Sequence, residues 1–290
     1  MGVLRCICAL PHPLSMRIGR LIGHVAHAAG GTRRAIVRRN IGLCFPELTP
    51  AECDAMAKAH FLALGMSLIE MGLGRWASDN THRRLGRLEG VEHLNSAIES
   101  GKGVILLCAH FTTMEIMGRV LALHCPPFDV VYRKNRSEFV TEIQRTGRER
   151  AADDTIEKRD IKKMVRNLRK GRPIWYAPDQ SYDRKGSGIV EFFGVPSMHT
   201  TATSTLARLG RAVTLPFFPR RLADGSYVFR ILPPLENFPG GDDIEDTRKY
   251  VSVLEEHIRS CPEQYLWIHR KFKNLPDGYP DYYSDLEALK

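Results

Sequence analysis

The first 46 residues of this chain contain no aspartate and no glutamate, yet they carry seven arginines, at 5, 17, 20, 33, 34, 38 and 39. A segment charged with one sign alone excludes a self-neutralising surface and predicts contact with something anionic. Long apolar runs are missing too. The longest stretch free of Asp, Glu, Lys and Arg, residues 192–207, holds six hydroxyl residues and Pro196, which excludes a bilayer span of roughly 20 apolar residues. The run 6–16 is short, is broken by Pro11 and Pro13 and lacks a small-residue cleavage site, so it does not read as a signal peptide.

Paired cysteines are also lacking. The seven present (6, 8, 44, 53, 108, 125, 261) are an odd number without paired spacing, which predicts reduced, mostly buried thiols. No His, Cys or Asp cluster has ligand spacing, so no metal is expected, and nothing in the chain calls for a cofactor. Helix-turn-helix and RNA-binding signatures are absent, and the basic segments lack interleaved aromatics, so nucleic acid is not an expected partner. Internal repeats and low-complexity linkers are absent as well.

What remains is ordinary globular composition, 290 residues with 43% hydrophobic and 26% charged, enough for one or two packed domains. The net charge of +9 is concentrated. Beyond the arginine-only start, residues 133–172 hold 14 Lys and Arg against 7 acids, and the rest of the chain is net negative.

Leu14, Ile18, Leu21, Ile22, Val25 and Ala29 recur at helical spacing, predicting an amphipathic helix over 14–29 flanked by Arg17, Arg20 and the cluster Arg33, Arg34, Arg38 and Arg39. Such a helix either lies on an anionic membrane surface or packs with a solvated basic edge. Thr49-Pro50-Ala51-Glu52 is a capping box that opens a helix at Pro50, with Gly72 and Gly74 expected to end it. Gly72-Leu-Gly74-Arg-Trp-Ala77 matches a dinucleotide fingerprint only formally, because it follows a helix and not a strand.

After residue 90 short apolar strands at 104–108, 128–132, 173–177, 212–218 and 265–269 alternate with helices at 91–100, 137–148, 160–170, 200–209 and 244–259. Asp224-Gly225 turns a hairpin into 227–232. This alternation predicts an α/β fold with a mostly parallel central sheet and flanking helices. The simplest division is an N-terminal amphipathic and helical region, 1–90, and an α/β body, 91–290.

The sharpest chemical feature is a strand ending at His110, with Glu115 five residues on. Ligands of open α/β sheets bind beyond the carboxyl ends of strands, where a His–carboxylate dyad can supply a general base. Five residues along a regular helix turn by about 500°, which separates two side chains. The dyad therefore requires His110 in the strand-to-helix turn and Glu115 reaching back. The same residues also read as an interfacial histidine and a carboxylate complementing a helix start. Cys108, two residues before His110 on the same strand face, admits a Cys–His nucleophile, although a buried thiol of raised pKa fits its apolar run better.

The blocks RRNIGLCFPEL (38–48), AHFTTME (109–115), YRKN (132–135), GRER (147–150), WYAPDQSYD (175–183), FF (192–193), PFFPRR (216–221) and EQYLWIHRKFK (263–273) follow one another in this order. Together they resemble the late acyltransferases of lipid A biosynthesis, the lauroyl and myristoyl transferases, nearly end to end. The resemblance implies a fold similar to the glycerolipid acyltransferases, with an N-terminal membrane-associating layer. It also implies transfer of a fatty acyl chain from acyl carrier protein to a hydroxyl on a hydroxyacyl chain of a phosphorylated lipid A precursor, at the cytoplasmic face of the bacterial inner membrane.

It places His110 and Glu115 on the family's catalytic pair, Arg148 on its arginine implicated in activity, and Asp179 in the block that shapes the rim of the site. Arg133, Arg220 and Arg270 are further candidates for binding substrate phosphates, with Lys271 and Lys273 beside the last. Family members usually begin with a hydrophobic membrane segment; here the amphipathic helix stands almost at the start, so attachment to an anionic membrane surface is expected to rest on that helix. The basic helix around Lys158–Lys170 could steer the acidic carrier protein. A related acyltransferase with a lysophospholipid or aminolipid acceptor, and a non-catalytic anionic-lipid-binding protein, are the competing readings.

Overall fold

A computed structural model describes residues 2–132, 142, 146–182 and 185–289. Helices α1 (Gly2–Cys8), α2 (His12–Ala28), α3 (Gly31–Cys44), α4 (Pro50–Trp76) and α5 (Asp79–Leu85) come first. The capping box opens α4 as expected: the Thr49 side chain accepts from the Glu52 N–H, and Glu52 reaches back to Thr49. Gly72 and Gly74 do not end it, and α4 runs on to Trp76. They serve close approach instead. A Cβ on Gly74 would lie 3.0 Å from the Glu115 carbonyl oxygen, and one on Gly72 2.5 Å from Cys8 Sγ. The same device brings α2 onto α4, where a Cβ on Gly65 would sit 2.2 Å from the Gly19 carbonyl oxygen.

The face of α2 turned to α4 is therefore Met16, Gly19 and Gly23, which are buried. Leu14, Leu21 and Val25 point outward beside Arg17 and Arg20. The outer face of α2 is thus both aliphatic and basic.

The body is a seven-stranded sheet in the order β1-β9-β8-β2-β5-β3-β4, with a separate two-stranded sheet β6-β7. The strands are β1 (Gly86–Glu89), β2 (Gly103–Leu107), β3 (Asp129–Tyr132), β4 (Asp154–Glu157), β5 (Pro173–Tyr176), β6 (Ser187–Phe192), β7 (Val195–Thr200), β8 (Ala212–Arg221) and β9 (Tyr227–Ile231). Every pairing in the large sheet is parallel except the β8–β9 hairpin. The fold is thus α/β with a mostly parallel central sheet and flanking helices.

Ile105 and Leu107 face a layer made by α8 (Ile161–Arg169), α9 (Ala202–Gly210) and α10 (Asp243–Ser260), together with α3 and part of α4. Val104 and Leu106 face α6 (Val91–Glu99) and α7 (Met114–Ala122). Both faces are covered, which is why β2 reads as an unbroken apolar run.

Three expectations need correction or completion. Residues 265–269 form no strand; only a single bridge joins Tyr265 to Phe111. This run is apolar because Tyr265 and Trp267 are core side chains, while its backbone crosses the strand ends after a 3-10 turn at Pro262–Gln264. Strands β1, β4, β6 and β7 were not read from the sequence, being short or polar. Most of the helix expected at 137–148 lies outside the described residues.

Candidate active site

Strand β2 ends at Leu107, and three residues later His110 stands in the turn before α7. Its backbone is pinned on the far side, where Leu266 N donates to the His110 carbonyl at 3.0 Å and Thr112 N donates to the Gln264 carbonyl at 2.9 Å. The neighbouring strand β5 pairs in parallel with Leu107 opposite Tyr176. Continuing that register brings Asp179 opposite His110. Nδ1 of His110 lies 2.5 Å from Asp179 Oδ1.

Asp179 is buried, with only 2% of its side chain exposed against 30% for His110. Its second oxygen accepts from the Tyr265 hydroxyl at 2.9 Å, and its backbone carbonyl accepts from Lys271 Nζ at 2.6 Å. Burial alone would raise the Asp179 carboxyl, but pairing with His110 and the nearby Lys271 outweigh it and hold the group well below the usual carboxylate range. Burial pushes Lys271 down to about 8, against the opposing pull of Asp179. A carboxylate only accepts, so Nδ1 carries the proton and the neutral imidazole keeps its lone pair on Nε2. Among the described residues Nε2 has no hydrogen-bond partner.

The structure brings Asp179, and not Glu115, to His110. Glu115 lies in the first turn of α7, and its Oε1 accepts from Arg148 Nη2 at 2.7 Å. The helical rotation that separates the two side chains is not undone by a reach back; Glu115 reaches across to residue 148. Both members of this ion pair are largely buried, 12% and 16% exposed. They stand beside Phe128, Val130 and Trp175. Among the described residues, the buried Nε of Arg148 has no hydrogen-bond partner.

The remaining candidates are scattered. Arg220 is exposed on β8, facing away from its neighbour Arg221, which is buried against Glu70 at 2.6 Å. Arg270 lies over the Tyr283 ring at 5.7 Å, and Arg133 falls outside the described residues. Lys271, expected beside Arg270 as a headgroup contact, is 4% exposed and turned inward. The reason is local: its ammonium is satisfied by the Asp179 carbonyl and by the Phe192 ring, 4.6 Å from the centroid. Cys108 is fully buried and burial raises its thiol well above the ordinary value, so it is a poor nucleophile.

Sequence reasoning missed Tyr265 and Gln264, which hold Asp179 and the His110 turn, and Asn40. Buried Asn40 on α3 donates to the Trp267 and His269 carbonyls at 2.7 Å each. It thereby fixes the segment that carries Tyr265 and Lys271. The signals were present in the RRN and EQYLWIHRKFK blocks, but Tyr265 opens a short apolar run that reads as core, and Asn40 and Gln264 stand next to charged residues that read as surface.

A partly exposed histidine, held through one nitrogen by a buried carboxylate at the carboxyl ends of two parallel strands, is an arrangement that can accept a proton, in an α/β protein. Comparisons with known proteins specify this further. Residues 1–274 match the family model of the bacterial lipid A biosynthesis acyltransferases. The chain is similar to the lipid A biosynthesis lauroyltransferase of Escherichia coli (strain K12), 36% identical over 285 residues, covering 98% of this chain and 93% of that protein. It is equally similar to the lipid A biosynthesis palmitoleoyltransferase of the same organism, 36% identical over 286 residues, covering 98% and 92%. A lipid A biosynthesis acyltransferase of Haemophilus influenzae is 33% identical over 282 residues, covering 96% and 90%. The chain belongs to the bacterial lipid A biosynthesis acyltransferase family, and it is an acyltransferase.

Proposed function

We propose that this protein transfers a fatty acyl chain from an acyl carrier protein thioester to a hydroxyl of a hydroxyacyl chain on a phosphorylated lipid A precursor, by direct attack. The observation that carries this reading is partly exposed His110, whose Nδ1 is bound to buried Asp179 while Nε2 has no hydrogen-bond partner among the described residues. A lipid hydroxyl is far too weak an acid to ionise at neutral pH. Nε2 takes its proton as the new carbon–oxygen bond forms, and Asp179 stabilises the imidazolium that results. The tetrahedral intermediate carries an oxyanion. The N–H groups at the start of α7 and the Arg148 guanidinium are the donors for it, with Glu115 holding Arg148 in place. The proton on Nε2 then passes to the leaving thiolate.

The two carboxylates thereby divide the work that one was expected to do: Asp179 orients the base, and Glu115 orients the cation. Arg133, Arg220 and Arg270 remain candidates for acceptor phosphates, since a guanidinium suits phosphate oxygens. Residues 1–90 form the membrane-associating part and residues 91–290 the catalytic body, related in fold to the glycerolipid acyltransferases. The outward Leu14, Leu21 and Val25 beside Arg17 and Arg20 support seating on an anionic leaflet. The lipid A precursor places that leaflet at the cytoplasmic face of the inner membrane.

The test compares wild type with His110→Ala in membranes supplied with acyl carrier thioester and precursor, with the product read by mass spectrometry. We expect the variant to lose at least about 100-fold in rate while binding anionic vesicles normally. Undiminished transfer would remove His110 from the mechanism. Transfer by wild type to lysophospholipid alone would change the acceptor, and vesicle binding without any transfer would leave a binding protein.

A further inference from the structure

Helix α8 has a buried face and a charged one. Met164 and Leu168 go into the core, and Lys162, Arg166 and Lys170 follow one another at intervals of four along the exposed side. Other cations nearby are used. Lys163 pairs with Asp154 at 2.6 Å, Arg172 with Asp129 at 2.7 Å and Arg208 with Asp243 at 3.1 Å. Lys162, Arg166 and Lys170 have no partner among the described residues. Beside them α8 and α9 leave a groove of about 560 Å³ floored by Ile161, Val165 and Leu209. Arg169 ties the two helices together there, its Nε donating to the Leu209 carbonyl at 2.8 Å. Ile161 and Leu209 are 40% and 44% exposed.

Charge selects the occupant. The more exposed aliphatic residues, which suit a bilayer, stand on α2. A single-stranded nucleic acid calls for aromatic platforms, and this groove has none. A shallow apolar strip beside a line of cations one helical turn apart fits an acidic helix that lays an apolar side chain on it. One end of the groove lies toward the site, and Leu209 at its other end precedes β8 at the amino end of the sheet. Ile161 follows β4 at the carboxyl end of the sheet, where His110 lies, and Lys158 just before it rests over the Tyr182 ring at 6.0 Å. Tyr182 is three residues beyond Asp179.

We propose that the α8–α9 groove, with Lys162, Arg166 and Lys170 along its rim, is the docking face for the acidic carrier protein that brings the acyl thioester. This rests on the donor assigned under Proposed function. The carrier sits on the flank of the sheet, and its thioester arm runs past Tyr182 to His110. The lipid acceptor enters from the α2 side, so the two substrates do not compete for one surface.

The experiment measures acyl transfer at varied acyl carrier protein concentration for wild type and for Lys162→Glu/Arg166→Glu/Lys170→Glu. Lys162→Gln/Arg166→Gln/Lys170→Gln serves as the milder second variant, and sedimentation with phosphatidylglycerol vesicles is run on all three. The expected result is a KM for the acyl carrier protein raised about 10-fold or more by charge reversal, and less by neutralisation, with kcat within about two-fold. The salt dependence of kcat/KM should flatten and vesicle binding should stay unchanged. An unchanged KM in both variants overturns the docking face while leaving the enzyme assignment intact, as does a loss confined to vesicle binding. Failure of wild type to use acyl carrier protein at any concentration overturns the donor assignment itself.

Discussion

His110 Nδ1 and Asp179 Oδ1 stand 2.5 Å apart across the carboxyl ends of the adjacent parallel strands β2 and β5. The contact needs no loop excursion, because the parallel register already sets the two residues opposite each other. Tyr265, Lys271 and the single bridge at Phe111 then hold both partners from the third side. A histidine held in this way is positioned by the sheet itself.

The second ion pair gives a prediction of its own. Arg148→Ala should lower turnover by about 100-fold or more, the scale of losing a donor to an oxyanion, and should leave vesicle binding within about two-fold. Arg148→Lys should recover part of the rate, because it restores the charge without the planar fork. Steady-state kinetics with vesicle sedimentation separates the outcomes. Equal losses in rate and in binding would make Arg148 a docking residue.

The buried pair Glu70–Arg221, 2.6 Å apart, joins α4 to the end of β8. Removing one partner strands the other in the core, so Glu70→Ala should cost about 3–5 kcal/mol in unfolding free energy. The double variant Glu70→Leu/Arg221→Met should be more stable than Glu70→Ala, because no charge is left unpaired. Urea denaturation followed by circular dichroism reads this directly, and a double variant weaker than the single would contradict it.

His60 is fully buried and its Nδ1 lies 3.1 Å from the Glu263 carbonyl oxygen. Burial pushes it down to about 4, against a smaller upward pull from that hydrogen bond. The unfolded chain, with an ordinary imidazole near 6.5, then binds a proton that the folded chain refuses. Stability should therefore be insensitive to this group above about pH 6.5 and fall as pH drops from there toward 4, by up to about 1.4 kcal/mol per unit. Urea midpoints between pH 7.5 and 4.5 should show the fall, and His60→Gln should flatten it by one proton.

The parallel sheet was legible because β2, β5 and β8 are buried on both faces and so read as short apolar runs between helices. Polar edge strands such as β4 (DTIE) and the β6-β7 hairpin carry no such signal. Gly72 and Gly74 misled in the other direction: glycine marks a helix end in sequence, but here it marks the places where α4 touches α1 and α7. In the site, His110, Glu115, Arg148 and Asp179 were all visible, and their pairing was not. Spacing along the chain suggested His110 with Glu115, whereas the sheet register pairs His110 with Asp179, 69 residues away. Register is a property of two strands together, and AH at the end of one and APD at the end of the next hint at it only once their adjacency is known.

The most direct test of the account is the rate of acyl transfer for Asp179→Asn and Glu115→Gln, each alone and each combined with His110→Ala. Asp179→Asn should lower kcat by about 100-fold or more and cost little further in the His110→Ala background, because the two residues act as a unit. Glu115→Gln should lower kcat as well, through Arg148, and lower it again in the His110→Ala background. A cycle in which Asp179→Asn and His110→Ala multiply while Glu115→Gln adds nothing to His110→Ala would contradict the assignment of Asp179 as the partner of the base.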